Sequence, residues 1–144
     1  MPLTYHPKPG TILMCDFSEG FKEPEMVKNR PVIVISPKLK RRGNLATVVC
    51  ISTSKPPTME PYHCEIPRVM LPNTGFFQGK PSWVKGDMVY TVGFHRLNLV
   101  KLKTKCPRTG KRLYDTRLLG PEKMKEVYSC VLCAMNLNHL TKHI

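Results

Sequence analysis

Arg30 is the residue of this chain best suited to bind a phosphate. It precedes Pro31, whose ring fixes its own φ and biases the residue before it toward extended geometry. The run Val32–Ile35 that follows has the β-branched composition of a strand buried on both faces. A guanidinium at the start of such a strand is held by the fold and still offers its planar fork of donors to a ligand. The alternative is a solvated arginine that only flanks a strand, and this segment alone does not distinguish the two.

The charge of the chain favours a polyanionic partner. Its net charge is +13 over 144 residues, more than solubility requires. Four of the ten acidic residues lie between Asp16 and Glu25, ahead of Arg30. Basic residues concentrate at Lys38–Arg42 and across Lys101–Arg117. Each basic run alone could be a solvated loop, but the two together favour nucleic acid.

Length and cysteine usage indicate one ordinary domain over residues 1–144. No apolar run approaches the roughly 18 residues of a membrane span, and the N-terminus lacks the pattern of a signal peptide. We therefore expect a cytoplasmic protein without membrane contact. Cys130 and Cys133 have metal-like spacing, but there is no second pair to complete a zinc site. We expect neither a metal nor another cofactor.

The pattern of apolar runs and chain breakers predicts a mainly β protein, a small antiparallel barrel with a C-terminal helix. The first four strands are predicted at Thr11–Phe17, Pro31–Ser36, Leu45–Ser52 and Tyr62–Ile66. Two more short strands are expected within Ser82–Leu99, separated by a turn at Lys85–Asp87, and a basic hairpin insert is expected at 101–118.

The C-terminal helix is predicted over 121–140, with Pro121 and Glu122 in its first turn. One apolar stripe contains Met124, Val127, Tyr128, Val131 and Met135, and a second contains Cys130, Cys133, Leu137 and Leu140. A helix that is apolar on two sides is buried on two sides. Either a second copy of the chain or the barrel itself covers the second stripe.

Several motifs of this chain occur together in the order of a known family. They are Gly10-Thr11-Ile12 through Asp16-Phe17, Glu25 five residues before Arg30, Val34-Ile35-Ser36, Val48 through Thr53, His63 through Ile66, and Trp83 through Leu97. With these motifs the chain resembles the MazF/PemK toxin family. The resemblance covers nearly all of residues 9–100 and 121–140, and its most specific parts are the Arg30-Pro31 strand and the strand ending in Ser52-Thr53.

The resemblance implies an SH3-like barrel that forms a homodimer and cuts single-stranded RNA without a metal. Family members are the toxin half of a type II toxin–antitoxin pair, and a segment of the cognate antitoxin silences them across the RNA groove. Arg30 falls on the family's catalytic arginine, Ser52 or Thr53 on its catalytic threonine, and Glu25 on a functional acid. The 101–118 segment is longer than is usual in the family.

Cleavage of this kind uses the 2′-OH as nucleophile and leaves a 2′,3′-cyclic phosphate and a 5′-OH. Arg30 suits stabilisation of charge on the phosphate but not proton transfer, because its pKa exceeds about 12. Glu25 and His63 are the candidate proton carriers, although a solvent-facing histidine on a strand is the favoured interpretation of His63. The candidate RNA-binding residues are basic or aromatic: Lys28, Lys40, Arg41, Arg42, Lys55, Phe76, Phe77, Lys85, Arg96, Lys103, Arg108, Lys111 and Arg112. Core packing is the expected role of Trp83.

The rival hypothesis is a barrel of the same shape that binds nucleic acid and has no catalytic activity. Charge and aromatic content fit it equally well, because small barrels host many functions. The combination of Glu25, Arg30 and the Ser52-Thr53 hydroxyls favours the enzyme, since a protein that only binds has no need to keep this set together.

Overall fold

The computed structural model describes residues 3–144 and confirms a mainly β, antiparallel fold with a C-terminal helix. Six strands form one sheet in the order β4-β5-β3-β2-β1-β6, and β7 and β8 form a separate hairpin. No ladder joins β4 to β6 among the described residues, so the sheet order does not show a closed barrel. The elements are β1 (Ile12–Asp16), β2 (Asn29–Val34), β3 (Leu45–Ser52), β4 (His63–Ile66), β5 (Ser82–Gly93), β6 (Leu97–Leu99), β7 (Lys101–Lys105), β8 (Arg112–Tyr114) and α1 (Pro121–Ala134).

The Val/Ile run after Arg30 is buried on both faces, as its composition predicts. Val32 and Val34 of β2 pack into one apolar cluster with Val48 and Cys50 of β3. Ile33, between them in the chain, points to the other face and joins the cluster that α1 covers. Side chains alternate across a strand, so one run of β-branched residues supplies both clusters.

The prediction of two short strands with a turn at Lys85–Asp87 is wrong, because this stretch lies inside the long strand β5. The register against β3 shifts there: Val49 pairs with Val89, whereas Cys50 pairs with Lys85. Residues 86–88 therefore form a bulge, and the amide of Gly86 donates to the carbonyl of Tyr62, at 2.8 Å. Gly-Asp, which favours a turn in an isolated chain, here marks a β-bulge between two pairing strands.

Helix α1 packs Met124, Val127, Cys130 and Val131 onto the sheet. It ends at Ala134 and not at 140, because Asn136 adopts a left-handed conformation with φ 60°. The amide of Leu137 donates to Leu132 O at 2.8 Å, and that of Asn136 to Cys133 O at 3.1 Å. These two bonds form a Schellman motif, which stops an α-helix.

A short 3-10 helix over Asn138–His143 follows this stop. The second apolar stripe is therefore split: Cys130 is buried in the core, whereas Leu140 lies beyond the helix and is exposed. Met135, assigned by periodicity to the first stripe, is 57% exposed. In the part of the chain that is described, no helix is long and apolar enough to cross a bilayer.

The predicted basic hairpin is present as β7 and β8, joined by a turn at residues 106–111. The turn is closed by bonds from the amide of Cys106 to Lys111 O and from the amide of Gly110 to Cys106 O, each of 2.8 Å. The hairpin is attached to the loop before β5, where the amide of Lys103 donates to Asn73 O at 3.0 Å. It thereby fixes the loop that carries Phe76.

Candidate functional site

Arg30 and the Ser52-Thr53 hydroxyls meet at one end of the sheet. Val32 pairs with Cys50 in the β2–β3 ladder, and the same register continued by two residues sets Arg30 opposite Ser52. A cleft of about 260 Å³ opens there, and we call it the Arg30 cleft. Its lining residues are Met26, Arg30, Pro31, Ile51, Ser52, Thr53, Ser54, Phe76 and Lys85.

Arg30 is a half-buried cation that no acidic side chain neutralises. Its Nε donates to the carbonyl of Val27 at 3.1 Å, which ties the guanidinium to the loop before β2. Within residues 3–144, no carboxylate lies within 4.0 Å of its nitrogens. The two terminal nitrogens are left to bind an anion, and a planar pair of N–H donors matches two phosphate oxygens.

The two candidate hydroxyls differ in their bonding. Ser52 Oγ donates to Ser54 O at 3.2 Å and accepts from the Ser54 amide at 3.1 Å. Ser52 therefore closes the turn after β3 with its own side chain. Thr53 is exposed and lines the same cleft. Of the two hydroxyls, the one on Thr53 is the freer to meet a substrate.

The loop between β1 and β2 is held against the sheet by aromatic and arginine contacts. The Tyr90 hydroxyl accepts from the Met26 amide at 3.0 Å, which fixes Met26 at the cleft. Arg96 donates from one terminal nitrogen to Asp16 O at 3.1 Å and to Glu19 O at 2.8 Å, and its guanidinium lies 4.8 Å from the Phe21 ring. The structure thus assigns Arg96, expected to bind RNA, to bonds within its own chain.

Glu25 does not line the Arg30 cleft. It is exposed, and its carboxylate accepts from the amide of Lys22 at 3.2 Å inside the β1–β2 loop. Its neighbour in the chain, Met26, is the residue of this loop that lines the cleft.

A second groove of about 400 Å³ continues from the cleft through Ser52, Ser54 and Lys85, and we call it the His63 groove. Lys55 and His63 line it as well. His63 Nδ1 accepts from the amide of Glu60 at 3.1 Å, so the neutral ring carries its proton on Nε2. In that state His63 offers a hydrogen-bond donor to the groove.

On the other side the cleft joins a pocket of about 450 Å³, which we call the amide pocket. Phe76 lines both spaces, is 42% exposed, and packs edge-to-face on Phe77 with ring centroids 5.4 Å apart. Phe77, expected to stack on RNA, is only 2% exposed because it belongs to the core. The sequence could not tell which of two adjacent aromatics faces solvent. Trp83 is buried, as expected.

The other predicted RNA-binding cations fall into two regions. Lys40, Arg41 and Arg42 lie in the turn joining β2 to β3, at the opposite end of those strands from Arg30. Lys103, Arg108, Lys111 and Arg112 are exposed on the β7–β8 hairpin, whose first residue, Lys101, lines the amide pocket. Lys28 is exposed immediately before β2. The amide pocket thus links the Arg30 cleft to the β7–β8 hairpin. The turn that contains residues 40–42 lies far from the Arg30 cleft, at the other end of β2 and β3.

Burial prevents ionisation of the Cys50 thiol, which lies on β3 next to the Arg30 cleft. Desolvation raises the pKa of Cys50, which pairs with Lys85, to about 12, so its sulfur stays protonated and does not act as a nucleophile. Among residues 3–144, no group of three or more His, Cys, Asp or Glu side chains is arranged to hold a metal ion. The polar and charged groups that line the Arg30 cleft and the His63 groove include Arg30, the Ser52 and Thr53 hydroxyls, Lys85 and His63.

Sequence reasoning missed Asn29 and Asn98, which line the amide pocket, and Ser54, which binds Ser52. Asn29 precedes Arg30 in the chain, and that adjacency could have drawn attention to it. Asn98 lies between Leu97 and Leu99 in a strand of only three residues. The chain alone gives no indication that this strand adjoins the cleft.

Residues 8–132 match the family of PemK-like, MazF-like toxins of type II toxin–antitoxin systems. The match covers most of the chain, which therefore belongs to this toxin family. Two uncharacterized bacterial proteins are similar in sequence. YifN of Escherichia coli (strain K12) is 32% identical over 115 residues, covering 68% of this chain and 76% of YifN. A protein of Haemophilus influenzae is 30% identical over 146 residues, covering 94% of each chain.

Solved structures share the fold at low sequence identity. One is an endoribonuclease from a mycobacterial species in complex with its cognate antitoxin, with a TM-score of 0.58 and 16% identity over 92% of this chain and 97% of that one. Another is the Mycobacterium tuberculosis toxin MazF-mt6, with a TM-score of 0.55 and 17% identity over 90% of this chain and 98% of that one. These similarities establish the toxin fold for the present chain.

Proposed function

We propose that this protein is the toxin of a type II toxin–antitoxin system and a metal-independent, sequence-specific endoribonuclease of single-stranded mRNA. Attack by the 2′-OH on the adjacent phosphate yields a 2′,3′-cyclic phosphate and a 5′-OH. The observation that carries the proposal is Arg30, a half-buried cation that has no carboxylate partner among residues 3–144 and lies in a cleft with the Ser52-Thr53 hydroxyls. Membership of the toxin family supports it.

In this proposal Arg30 stabilises the charge that develops on the non-bridging phosphate oxygens. Its Nε is already bound to Val27 O, so the guanidinium is oriented before substrate arrives. A preorganised donor contributes most to catalysis, because it need not reorganise during the reaction. Lys85 lies in the same cleft and adds a second positive charge. The Thr53 hydroxyl holds the phosphate in line for attack, while Ser52 maintains the turn that presents it.

We also propose roles for the two candidate proton carriers, His63 and Glu25. The bond from the Glu60 amide occupies His63 Nδ1, so the neutral ring meets substrate with Nε2–H. His63 in this form binds a phosphate oxygen and is a poor base. The family resemblance makes Glu25 the candidate base; to reach the cleft, its carboxylate has to leave the Lys22 amide that it binds in this structure. Glu25→Gln and His63→Gln separate the two roles: loss of the base flattens the pH profile of kcat, whereas loss of a binding residue raises KM.

The test is incubation of a defined single-stranded RNA with the protein in the presence of EDTA. The wild type is expected to release a fragment ending in a 2′,3′-cyclic phosphate. Arg30→Ala is expected to reduce the rate about 100- to 1,000-fold, the usual effect of removing one transition-state donor. Arg30→Lys retains the charge without the fork and should fall between the two. Arg68→Ala removes an exposed arginine outside the cleft and serves as the matched control.

A wild-type protein that binds the RNA tightly without cutting it would contradict the proposal. That outcome would favour the non-catalytic binding barrel, which the basic surface suits equally well.

We also propose two protein partners. A segment of the cognate antitoxin lies across the Arg30 cleft and the His63 groove, where Arg30, Lys55 and Lys85 offer positive charge to an acidic segment. A second copy of the chain covers the exposed apolar residues that follow α1, Met135 and, in the 3-10 helix, Leu140 among them. Leu140→Glu should convert a dimer to a monomer in light scattering, and a wild type that is monomeric at micromolar concentration would contradict this interface.

A further inference from the structure

The amide pocket combines an apolar floor with amide side chains, and its composition is that of a site for a flat, polar ring. Met14 and Leu99 contribute apolar surface, and Asn29 and Asn98 contribute amides. Asn98 is opposite Met14 in the β1–β6 ladder, and Met14 is opposite Pro31 in the β1–β2 ladder. Because these pairs share one face of the sheet, Met14 lies between the strand of Asn98 and the strand of Asn29.

Both amides are free to bind a ligand. No hydrogen bond joins the side chain of Asn29 or Asn98 to any other group within residues 3–144. Asn98 is half-buried, and its amide stays accessible, since among the described residues only Ser82 Oγ is a buried side-chain atom without a hydrogen-bond partner. An amide presents a donor and an acceptor side by side, which matches adjacent donor and acceptor atoms on the edge of a nucleobase.

The pocket is continuous with the Arg30 cleft through Phe76. Two strand spacings, about 10 Å, separate the backbones of β2 and β6, which is on the scale of one nucleotide. Arg30 leaves β2 on the opposite face from Asn98, so the cleft and the pocket meet at Phe76, which lines both. Phe76 is held by its edge-to-face contact with buried Phe77, so its ring is a fixed surface on which an unpaired base can stack. Lys101 lines the outer side, where the next phosphate would leave the pocket.

We propose that the amide pocket binds the unpaired base of the nucleotide next to the scissile phosphate, and that Asn29 and Asn98 select that base. This inference rests on the proposed endoribonuclease activity for its place in the reaction. It assigns specificity at one nucleotide position to one pocket. A purely electrostatic groove, by contrast, would bind every sequence alike.

The test is cleavage of a random RNA pool followed by sequencing of the new 5′-OH ends. The wild type should prefer one base at a position adjacent to the cut. Asn98→Ala and Asn29→Ala should each reduce the preference at that position alone by about tenfold, the discrimination expected of one amide pair. Asn138→Ala, an exposed asparagine on the 3-10 helix after α1, should leave the profile unchanged. A profile that is flat in the wild type, or that Asn98→Ala leaves intact, overturns the inference.

A second measurement separates this inference from the proposed activity. Should the wild type cut no RNA, fluorescence anisotropy with labelled oligomers of A, C or U alone still measures base selection. A preference among the three that Asn98→Ala removes, and Asn138→Ala does not, supports the pocket as a base-binding site without catalysis. Equal affinity of the wild type for all three oligomers contradicts it.

Discussion

Gly86 is predicted to be the glycine least able to accept a side chain. A Cβ at this position would lie 2.6 Å from the backbone C and O atoms of Cys130 in α1 and 2.8 Å from Tyr62 O. To restore ordinary contact at 3.4 Å, the helix would have to move outward by roughly 0.8 Å. That movement loosens the packing of Val127 and Val131 and strains the bond from the Gly86 amide to Tyr62 O.

Gly86→Ala is therefore expected to destabilise the protein by about 3 kcal/mol, from overpacking and a weakened hydrogen bond. For a chain of this length, the melting temperature in circular dichroism should fall by about 10 °C. Gly43→Ala is the matched control, because a Cβ there meets nothing within 4 Å. If Gly86→Ala melts within about 2 °C of Gly43→Ala, the close approach of α1 to the bulge is refuted.

Three further predictions concern the β1–β2 loop, the β7–β8 hairpin and the half-buried thiol of Cys106. Arg96→Ala removes two bonds to backbone carbonyls and should speed proteolysis of the β1–β2 loop, whereas unchanged digestion would exclude Arg96 as its anchor. Lys103→Ala and Lys111→Ala should each weaken RNA binding by the same factor for all sequences. Each should also reduce the slope of log K against log salt by about 0.7, and an unchanged slope would show that the hairpin does not touch RNA. Hydrogen bonds from the Thr109 hydroxyl and amide lower the pKa of Cys106, so its alkylation should reach half its maximal rate at a lower pH than that of a free cysteine. Thr109→Ala should move that pH upward, and an unchanged profile by mass spectrometry would contradict this assignment.

The predictable part of the fold is the part in which local pattern and tertiary packing agree. The strand formed by the Val/Ile run of β2 was predictable, because a strand that is buried on both faces needs apolar residues at successive positions. The basic hairpin was predictable because Pro107 to Gly110 forms the turn that its residues favour. The extent of β5 was not, because Gly86-Asp87 favours a turn locally while β3 and β4 impose strand pairing from both sides.

The end of the C-terminal helix was likewise not predictable from the local sequence pattern. Apolar residues continue at helical spacing as far as Leu140, but Asn136 takes a left-handed conformation and ends the helix at Ala134. Periodicity counts side chains and carries no information on a single backbone angle.

At the candidate site, sequence could name Arg30 and the two hydroxyls because the family resemblance marks them. The surroundings of each residue depended on the fold. Arg96 and Phe77 have the types expected of RNA contacts, yet one is bound to the β1–β2 loop and the other lies in the core. The residue type of Asn98 gives no indication of a role in RNA binding. Asn98 reaches the amide pocket through the pairing of β6 with β1.

The proposed activity is cleavage of RNA through the 2′-OH at a phosphate held by Arg30. The most direct measurement replaces the single ribose on the 5′ side of the mapped cut with 2′-deoxyribose and repeats the incubation in EDTA. Cleavage at that bond should be lost, while the affinity for the oligomer and cleavage of the all-ribose control persist. Cleavage of the deoxy-substituted bond at the control rate, or products ending in 3′-OH and 5′-phosphate, would contradict attack by the 2′-OH.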